Sequence, residues 1–119
     1  MWDVSTTEEF DNWFCELDDD AKVEVIAKVE LLKVFGPALR RPHADTLNGS
    51  EYANMKELRA STAGQEIRIA FAFDPDRKAL LLVGGNKSGV GQNRFYKQLI
   101  ARADELYATH LARLKGRRK

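Results

Sequence analysis

Apolar residues alternate with smaller or charged ones in Ile67-Arg68-Ile69-Ala70-Phe71-Ala72-Phe73, and the predicted fold is built around this stretch. Large apolar side chains occupy every second position, so they share one face of a β-strand and Arg68 falls on the other face. A turn signal, Asp74-Pro75-Asp76-Arg77, separates this strand from the apolar run Ala79-Leu80-Leu81-Leu82-Val83, which is typical of a buried central strand. With a shorter strand over residues 55–60, the pattern predicts three antiparallel strands joined by short turns.

The segment before these strands predicts two helices. Thr6 and Glu9 have the spacing of a capping box, and the apolar residues after them recur at helical intervals up to residue 17. Asp18-Asp19-Asp20 then begins a second helix, which runs to about Phe35 because Gly36-Pro37 stops it. Two adjacent helices with apolar stripes form a hairpin, and the stripes are interpreted as core rather than as a cofactor site.

The remaining segments complete the predicted order. Trp2-Asp3-Val4 is a short first strand, residues 38–54 are a long loop, and residues 93–111 are a final helix. The order β-α-α-β-β-β-α predicts an α+β domain in which an antiparallel sheet packs on the helical hairpin, with a C-terminal helix. We expect one domain over residues 1–114 and a disordered basic tail over residues 115–119.

Length and composition exclude several classes of protein. A chain of 119 residues is too short for a classical Rossmann or TIM-barrel enzyme. Its longest apolar run, residues 79–83, is far below the ~20 residues that span a bilayer, and no basic segment followed by an apolar run opens the sequence. Cys15 has no second cysteine to pair with. These features predict a cytoplasmic protein without a membrane partner.

Charge is distributed unevenly along the sequence. Residues 1–53 contain 5 Lys and Arg against 12 Asp and Glu, a net charge of −7, whereas residues 54–119 contain 14 against 6, a net charge of +8. Such a division indicates a positive face that meets a polyanion. The alternative is a solvated charged surface on which the two halves intermix after folding.

Strand parity locates the candidate site. If the apolar faces of the strands meet the helical hairpin, then Glu57, Arg59 and Arg68 project together from the opposite face, where the small Ala70 and Ala72 leave room. Two guanidinium groups there predict a phosphate clamp. The alternative is a cross-strand ion pair between Glu57 and one of the arginines. The sequence therefore predicts a concave cationic patch that holds one carboxylate.

Other candidates lie in loops and at the start of the last helix. Lys87 belongs to the glycine-rich loop over residues 84–91, where backbone N–H groups also approach an anion, although the P-loop spacing is missing. Tyr96, beside Arg94, is suited to stacking on a base or to lending a hydroxyl, with packing at a helix edge as the alternative. His43 follows Arg40 and Arg41 in a loop that is suited to RNA contact or is simply exposed.

Metal and cofactor sites are not expected. Neither His43 nor His110 has an adjacent acidic partner in a metal motif, and one cysteine does not make a zinc cluster. We therefore expect no metal and no cofactor.

Five runs in a fixed order carry a family resemblance: Leu47-Asn48-Gly49, Met55-Lys56-Glu57-Leu58-Arg59, Ile67 to Phe73, Leu81-Leu82-Val83-Gly84-Gly85-Asn86-Lys87, and Arg94-Phe95-Tyr96. Together they resemble the RelE/ParE toxin superfamily, and within it the phage-derived HigB-like branch, over nearly the whole chain. The resemblance implies a RelE-like fold and a small toxin that cleaves mRNA on the translating ribosome. It also implies a cognate HigA-like antitoxin with a helix-turn-helix domain.

The resemblance assigns roles by position. Arg59, Arg68 and Lys87 would contact or stabilise the scissile phosphate, with Lys56, Glu57 and Tyr96 as further members of the site. A histidine-rich C-terminal segment found in other branches is missing, so the general acid and base stay open. The predicted catalytic set is Glu57, Arg59, Arg68 and Lys87. The predicted RNA-binding set is Arg40, Arg41, His43, Lys56, Arg94 and Tyr96.

The implied reaction is attack of the RNA 2′-hydroxyl on its own 3′-phosphate, which needs alignment and positive charge rather than a metal. Two rivals remain: a ParE-like toxin that inhibits gyrase without chemistry, and a non-toxic nucleic-acid-binding module. Converging cations count against the gyrase inhibitor. The nuclease interpretation requires that three cationic side chains from separate strands reach one exposed hollow.

Overall fold

A computed structural model describes residues 1–117 and confirms the α+β class. Its elements, in chain order, are β1 Val4–Thr6, α1 Glu8–Cys15, α2 Asp19–Phe35, a 3-10 turn Gly36–Ala38, β2 Ala44–Thr46, β3 Met55–Thr62, β4 Gln65–Phe73, β5 Ala79–Asn86 and α3 Gln92–Arg117. No helix within residues 1–117 is both long enough and apolar enough to cross a bilayer.

The sheet has five strands in the order β1-β5-β4-β3-β2. β3, β4 and β5 form the predicted antiparallel meander, and β2 adds antiparallel to β3. β1 pairs with β5 in parallel, so the sheet is mixed rather than wholly antiparallel. The sequence missed β2 because a strand of three residues inside a long loop exists only through its pairing with β3.

Local sequence signals predicted the end of α2 correctly and placed the cap of α1 one residue too early. α2 ends at Phe35 as predicted, because Gly36 has a φ of 53° and a Cβ there would lie 2.4 Å from the Trp2 indole. Thr7, not the predicted Thr6, caps α1 by accepting a hydrogen bond from the N–H of Phe10. The shift follows from β1, which begins at Val4 rather than at residue 2 and includes Thr6.

The last helix is longer than predicted. α3 continues past residue 111 to Arg117, so residues 115–117 of the expected disordered tail are helical. Leu114 is buried, which indicates that the last turns pack rather than fray. Arg118 and Lys119, the rest of the expected tail, lie outside the described residues.

Two cores lie on opposite faces of the sheet. Leu58, Ile69 and Phe71 pack against α1 and α2, as strand parity predicted. The other face, with Ala70 and Ala72, packs against α3. The expectation that these alanines leave an open hollow is therefore wrong, because α3 fills the space. The end of this face that carries Arg59 lies outside the apolar core.

Thr7 offers a test of the cap. Its hydroxyl also donates to the carbonyl of Leu82 at 2.6 Å, so it ties α1 to β5. We expect Thr7→Ala to lower the free energy of unfolding by about 1–2 kcal/mol. Thr6→Ala, at the exposed neighbouring position, changes it by less than about 0.5 kcal/mol. Urea unfolding measures both variants, and equal losses would contradict the assignment of the cap to Thr7.

Candidate active site

A cavity of about 400 Å³ opens beside the start of α3. β3 contributes Glu57 and Arg59, the segment after β5 contributes Lys87, and α3 contributes Gln92 and Tyr96. The loop and strand over residues 41–48 close the remaining side. We call this space the Lys87 cavity. Five of the residues predicted from sequence therefore line one hollow: Arg41, Glu57, Arg59, Lys87 and Tyr96.

Backbone register brings these side chains together. Arg59 on β3 lies directly opposite Arg68 on β4, and Gly85 on β5 lies opposite Arg68 on its other side. A Cβ at Gly85 would lie 3.0 Å from the ring of Phe95, so the bare backbone there lets the first turns of α3 rest directly on the sheet. This close approach places Tyr96 within hydrogen-bonding distance of β4.

Arg68 is buried rather than exposed. Only 3% of its surface is accessible, its Nε donates to the Tyr96 hydroxyl at 3.2 Å, and its Nη1 donates to the carbonyl of Ile67 at 2.9 Å. The Tyr96 hydroxyl donates in turn to Glu57 Oε1 at 2.7 Å. The predicted exposed clamp of Arg59 and Arg68 is therefore wrong, because α3 lays Tyr96 over Arg68. We call this chain of hydrogen bonds the Glu57–Tyr96–Arg68 network.

The accessible positive charge of the cavity comes from Arg59 and Lys87. Within residues 1–117, neither side chain forms a hydrogen bond or an ion pair. Arg41 also lines the cavity, but its guanidinium is held by Asp45 at 2.7 Å. Two cations without an ion pair thus share one hollow with the carboxylates of Glu57 and Asp45. This arrangement attracts an anion of the size of a phosphate group.

The pKa shifts fix the charge states around the cavity. Burial, reinforced by the hydrogen bond to Glu57, raises the pKa of the Tyr96 hydroxyl, so it keeps its proton at neutral pH. The Arg41 hydrogen bond lowers the pKa of Asp45, and the charge of Arg59 adds to the effect. A hydrogen bond from Ser61 lowers the pKa of Glu66, with the charges of Arg68 and Lys87 contributing. The protonated Tyr96 hydroxyl is thus able to donate its hydrogen bond to Glu57 while it accepts one from Arg68.

Comparison with known proteins identifies the family. Residues 12–108 match the family described as "Phage derived protein Gp49-like (DUF891)". The chain belongs to the Gp49-like family. It is 44% identical over 110 residues to "Putative toxin HigB2" of Mycobacterium tuberculosis. The aligned region covers 92% of this chain and 54% of that protein. The chain is also 46% identical over 102 residues to "Putative toxin HigB3" of the same organism, at 86% and 87% coverage.

These matches confirm the resemblance to the phage-derived, HigB-like branch of the RelE/ParE superfamily. The Gp49-like chain spans about half the length of the HigB2 relative and most of the HigB3 relative.

Several predicted RNA-binding residues lie away from the cavity of this Gp49-like chain. Lys56 pairs with Phe71 and lies on the face of the sheet that meets the helical hairpin. Arg40 and Arg94 are exposed and do not line the Lys87 cavity. His43 is engaged by the Lys28 ammonium, which lies 2.8 Å from its Nδ1. A role in RNA binding stays a prediction for each of these residues.

Some residues that line the Lys87 cavity were not predicted as site residues from the sequence. Asn48 and Gln92 line the Lys87 cavity, but the sequence marked Asn48 only as a loop residue and Gln92 not at all. The run Leu47-Asn48-Gly49, already part of the resemblance, was the available signal for Asn48. Within residues 1–117, no group of three or more His, Cys, Asp and Glu side chains is arranged to hold a metal ion.

The Glu57–Tyr96–Arg68 network predicts a measurable titration. Glu57→Gln removes a negative charge beside Tyr96, so we expect the pKa of Tyr96 to fall relative to the unmodified protein. Glu66→Gln, which changes a carboxylate that does not contact Tyr96, leaves that pKa in place. NMR of ¹³Cζ-labelled tyrosine against pH measures the shift, with Tyr96→Phe assigning the signal. An unchanged Tyr96 pKa in Glu57→Gln would contradict the network.

Proposed function

We propose that this chain is the toxin of a type II toxin–antitoxin pair and that it cleaves mRNA on the translating ribosome. The observation that carries the proposal is the Lys87 cavity, where two unpaired cations meet a carboxylate and a protonated tyrosine. The names of the HigB2 and HigB3 relatives support the toxin assignment.

Arg59 and Lys87 hold the scissile phosphate. Attack of the 2′-hydroxyl on the adjacent phosphorus forms a pentacoordinate species that carries more negative charge than the starting diester. Fixed positive groups aimed at that charge lower the barrier because they need no reorganisation during the reaction. The guanidinium stays charged throughout and contacts two phosphate oxygens at once.

Glu57 is the proton acceptor in this proposal. Its carboxylate lines the cavity and takes the proton of the 2′-hydroxyl while the new bond between that oxygen and phosphorus forms. The bond from phosphorus to the 5′-oxygen breaks, and the Lys87 ammonium donates a proton to that leaving oxygen. The products are a 2′,3′-cyclic phosphate and a 5′-hydroxyl, and the reaction uses no metal.

Arg68 and Tyr96 position Glu57 rather than bind RNA directly. Arg68 donates to the tyrosine hydroxyl, which donates to the carboxylate, so each group orients the next. The sequence assigned Arg68 to the phosphate. Its hydrogen bonds to Tyr96 and to the Ile67 carbonyl, and its position outside the lining of the Lys87 cavity, favour a supporting role instead.

The partners and location belong to the same proposal. A HigB-type toxin implies a cognate antitoxin, which we expect to be HigA-like with a helix-turn-helix domain. The ribosome and its mRNA are the targets, so the chain acts in the cytoplasm. The two alternative functions differ from the nuclease in what they require of the cavity. Neither a gyrase inhibitor nor a passive nucleic-acid-binding module needs Glu57 beside two unpaired cations.

Arg59→Ala tests the electrostatic step. We expect it to lower mRNA cleavage by about 10²–10³-fold, the scale of losing one transition-state stabiliser, with little effect on folding because the side chain has no partner in residues 1–117. Arg113→Ala removes an equal charge from the exposed far end of α3 and serves as the matched control. Equal cleavage by both variants would remove Arg59 from the mechanism.

Controlled expression in bacteria tests the activity itself. Primer extension on cellular mRNA, with and without an inhibitor of translation, locates the cuts. We expect in-frame cuts that require translation and that disappear in Arg59→Ala. DNA damage with intact mRNA would favour the gyrase inhibitor, and absence of both effects would favour the passive binding module.

A further inference from the structure

A second cavity of about 320 Å³ lies beside the first. α2 contributes Glu24 and Lys28 to its wall, and β3 contributes Arg59 and Ser61. The rest of its lining is Pro42, Glu66 and Arg68. We call it the Glu24 cavity. The resemblance and the sequence patterns assign no role to Glu24, Ser61 or Glu66 in its lining.

Arg59 lines both cavities. Its guanidinium is unpaired within residues 1–117, so it is free to hold a phosphate at the junction. In single-stranded RNA, the groups next to any phosphate are the two flanking nucleosides. A phosphate bound at Arg59 therefore brings one flanking base to the mouth of the Glu24 cavity, and the Arg59 plane is suited to stacking on that base.

Of the two carboxylates that line this cavity, Glu24 is the one without a partner in the described part of the chain. Glu66 already accepts a hydrogen bond from Ser61 at 2.8 Å and lies 3.5 Å from Arg68 Nη1. Lys28 is engaged with His43. Glu24 is half-buried, and no hydrogen bond or ion pair within the described residues holds its carboxylate. The cavity therefore presents one carboxylate without a partner, that of Glu24, beside the Arg59 guanidinium, which has no partner within residues 1–117 either.

Carboxylates discriminate between nucleobases. Cytosine, adenine and guanine each carry an exocyclic amino group that donates to a carboxylate, as in the pairing of Glu or Asp with the cytosine amino group. Uracil has no amino group, and its single N–H lies between two carbonyl oxygens that repel the carboxylate. A carboxylate without a partner, such as that of Glu24, thus favours amino-bearing bases over uracil.

We propose that the Glu24 cavity is a subsite for the nucleobase next to the phosphate held by Arg59, and that Glu24 selects bases with an exocyclic amino group. The inference rests on the RNA substrate of the proposed function. It adds a specificity-determining residue on α2, outside the Lys87 cavity.

Short RNAs test the subsite without cleavage. Trinucleotides with 2′-O-methyl groups lack the attacking hydroxyl, so their dissociation constants report binding alone. The central base of a trinucleotide adjoins both of its phosphates. We expect the unmodified protein to bind trinucleotides whose central base is cytosine, adenine or guanine about tenfold more tightly than the all-uracil trinucleotide. Glu24→Gln abolishes the difference, because the amide both donates and accepts. Glu30→Gln, an exposed glutamate on the same helix, preserves it.

The outcomes separate this inference from the proposed function. Equal binding of all trinucleotides, or a preference that persists in Glu24→Gln, would overturn the subsite. Ribosome-dependent cleavage whose sites show the same base distribution in Glu24→Gln would overturn it as well, while supporting the nuclease. A Glu24-dependent binding preference without any cleavage would support the subsite and contradict the nuclease.

Discussion

The Glu57–Tyr96–Arg68 network is the constraint on which the site depends. Glu57 and Arg68 are two of only three polar or charged side chains that are buried within the described residues. Burying a carboxylate and a guanidinium is costly unless each finds partners. Here the tyrosine hydroxyl bridges them, and no buried polar side-chain atom in residues 1–117 lacks a partner. Because the three groups come from β3, β4 and α3, the network fixes the helix against the sheet.

The network also divides the cations into two kinds. Arg68 is satisfied internally by Tyr96, the carbonyl of Ile67 and the nearby carboxylates. Arg59 and Lys87 form no hydrogen bond or ion pair through their side chains in the described part of the chain, although their charges act on Asp45 and Glu66, and both line the open cavity. The Glu57–Tyr96–Arg68 network holds its groups in place, and Arg59 and Lys87 add positive charge without an ion pair. Fixed positive charge of this kind is what stabilises a phosphate transition state. The same Arg59 connects the cavity to the neighbouring hollow at Glu24.

Much of this fold could be predicted from local signals. The period-two pattern of β4 placed Ile69 and Arg68 on opposite faces, and Gly36 ended α2 where expected. The burial of Arg68 could not be predicted, because it depends on where α3 packs against the sheet. Nothing in the sequence around Gly85 indicates that Phe95 of α3 packs against it. The sequence did not predict the parallel pairing of β1 or the short strand β2 either, because both depend on partner strands that are distant in sequence. The shift of the cap to Thr7 followed from β1.

A double-mutant cycle on Glu57→Gln and Tyr96→Phe tests the central claim most directly. The free energy of unfolding and the rate of mRNA cleavage are measured for each single variant and for the double variant. If one network holds α3 to the sheet and arranges the carboxylate, the two substitutions are non-additive in both measurements, with a coupling of about 1–3 kcal/mol in unfolding. Additive effects in both would contradict the account.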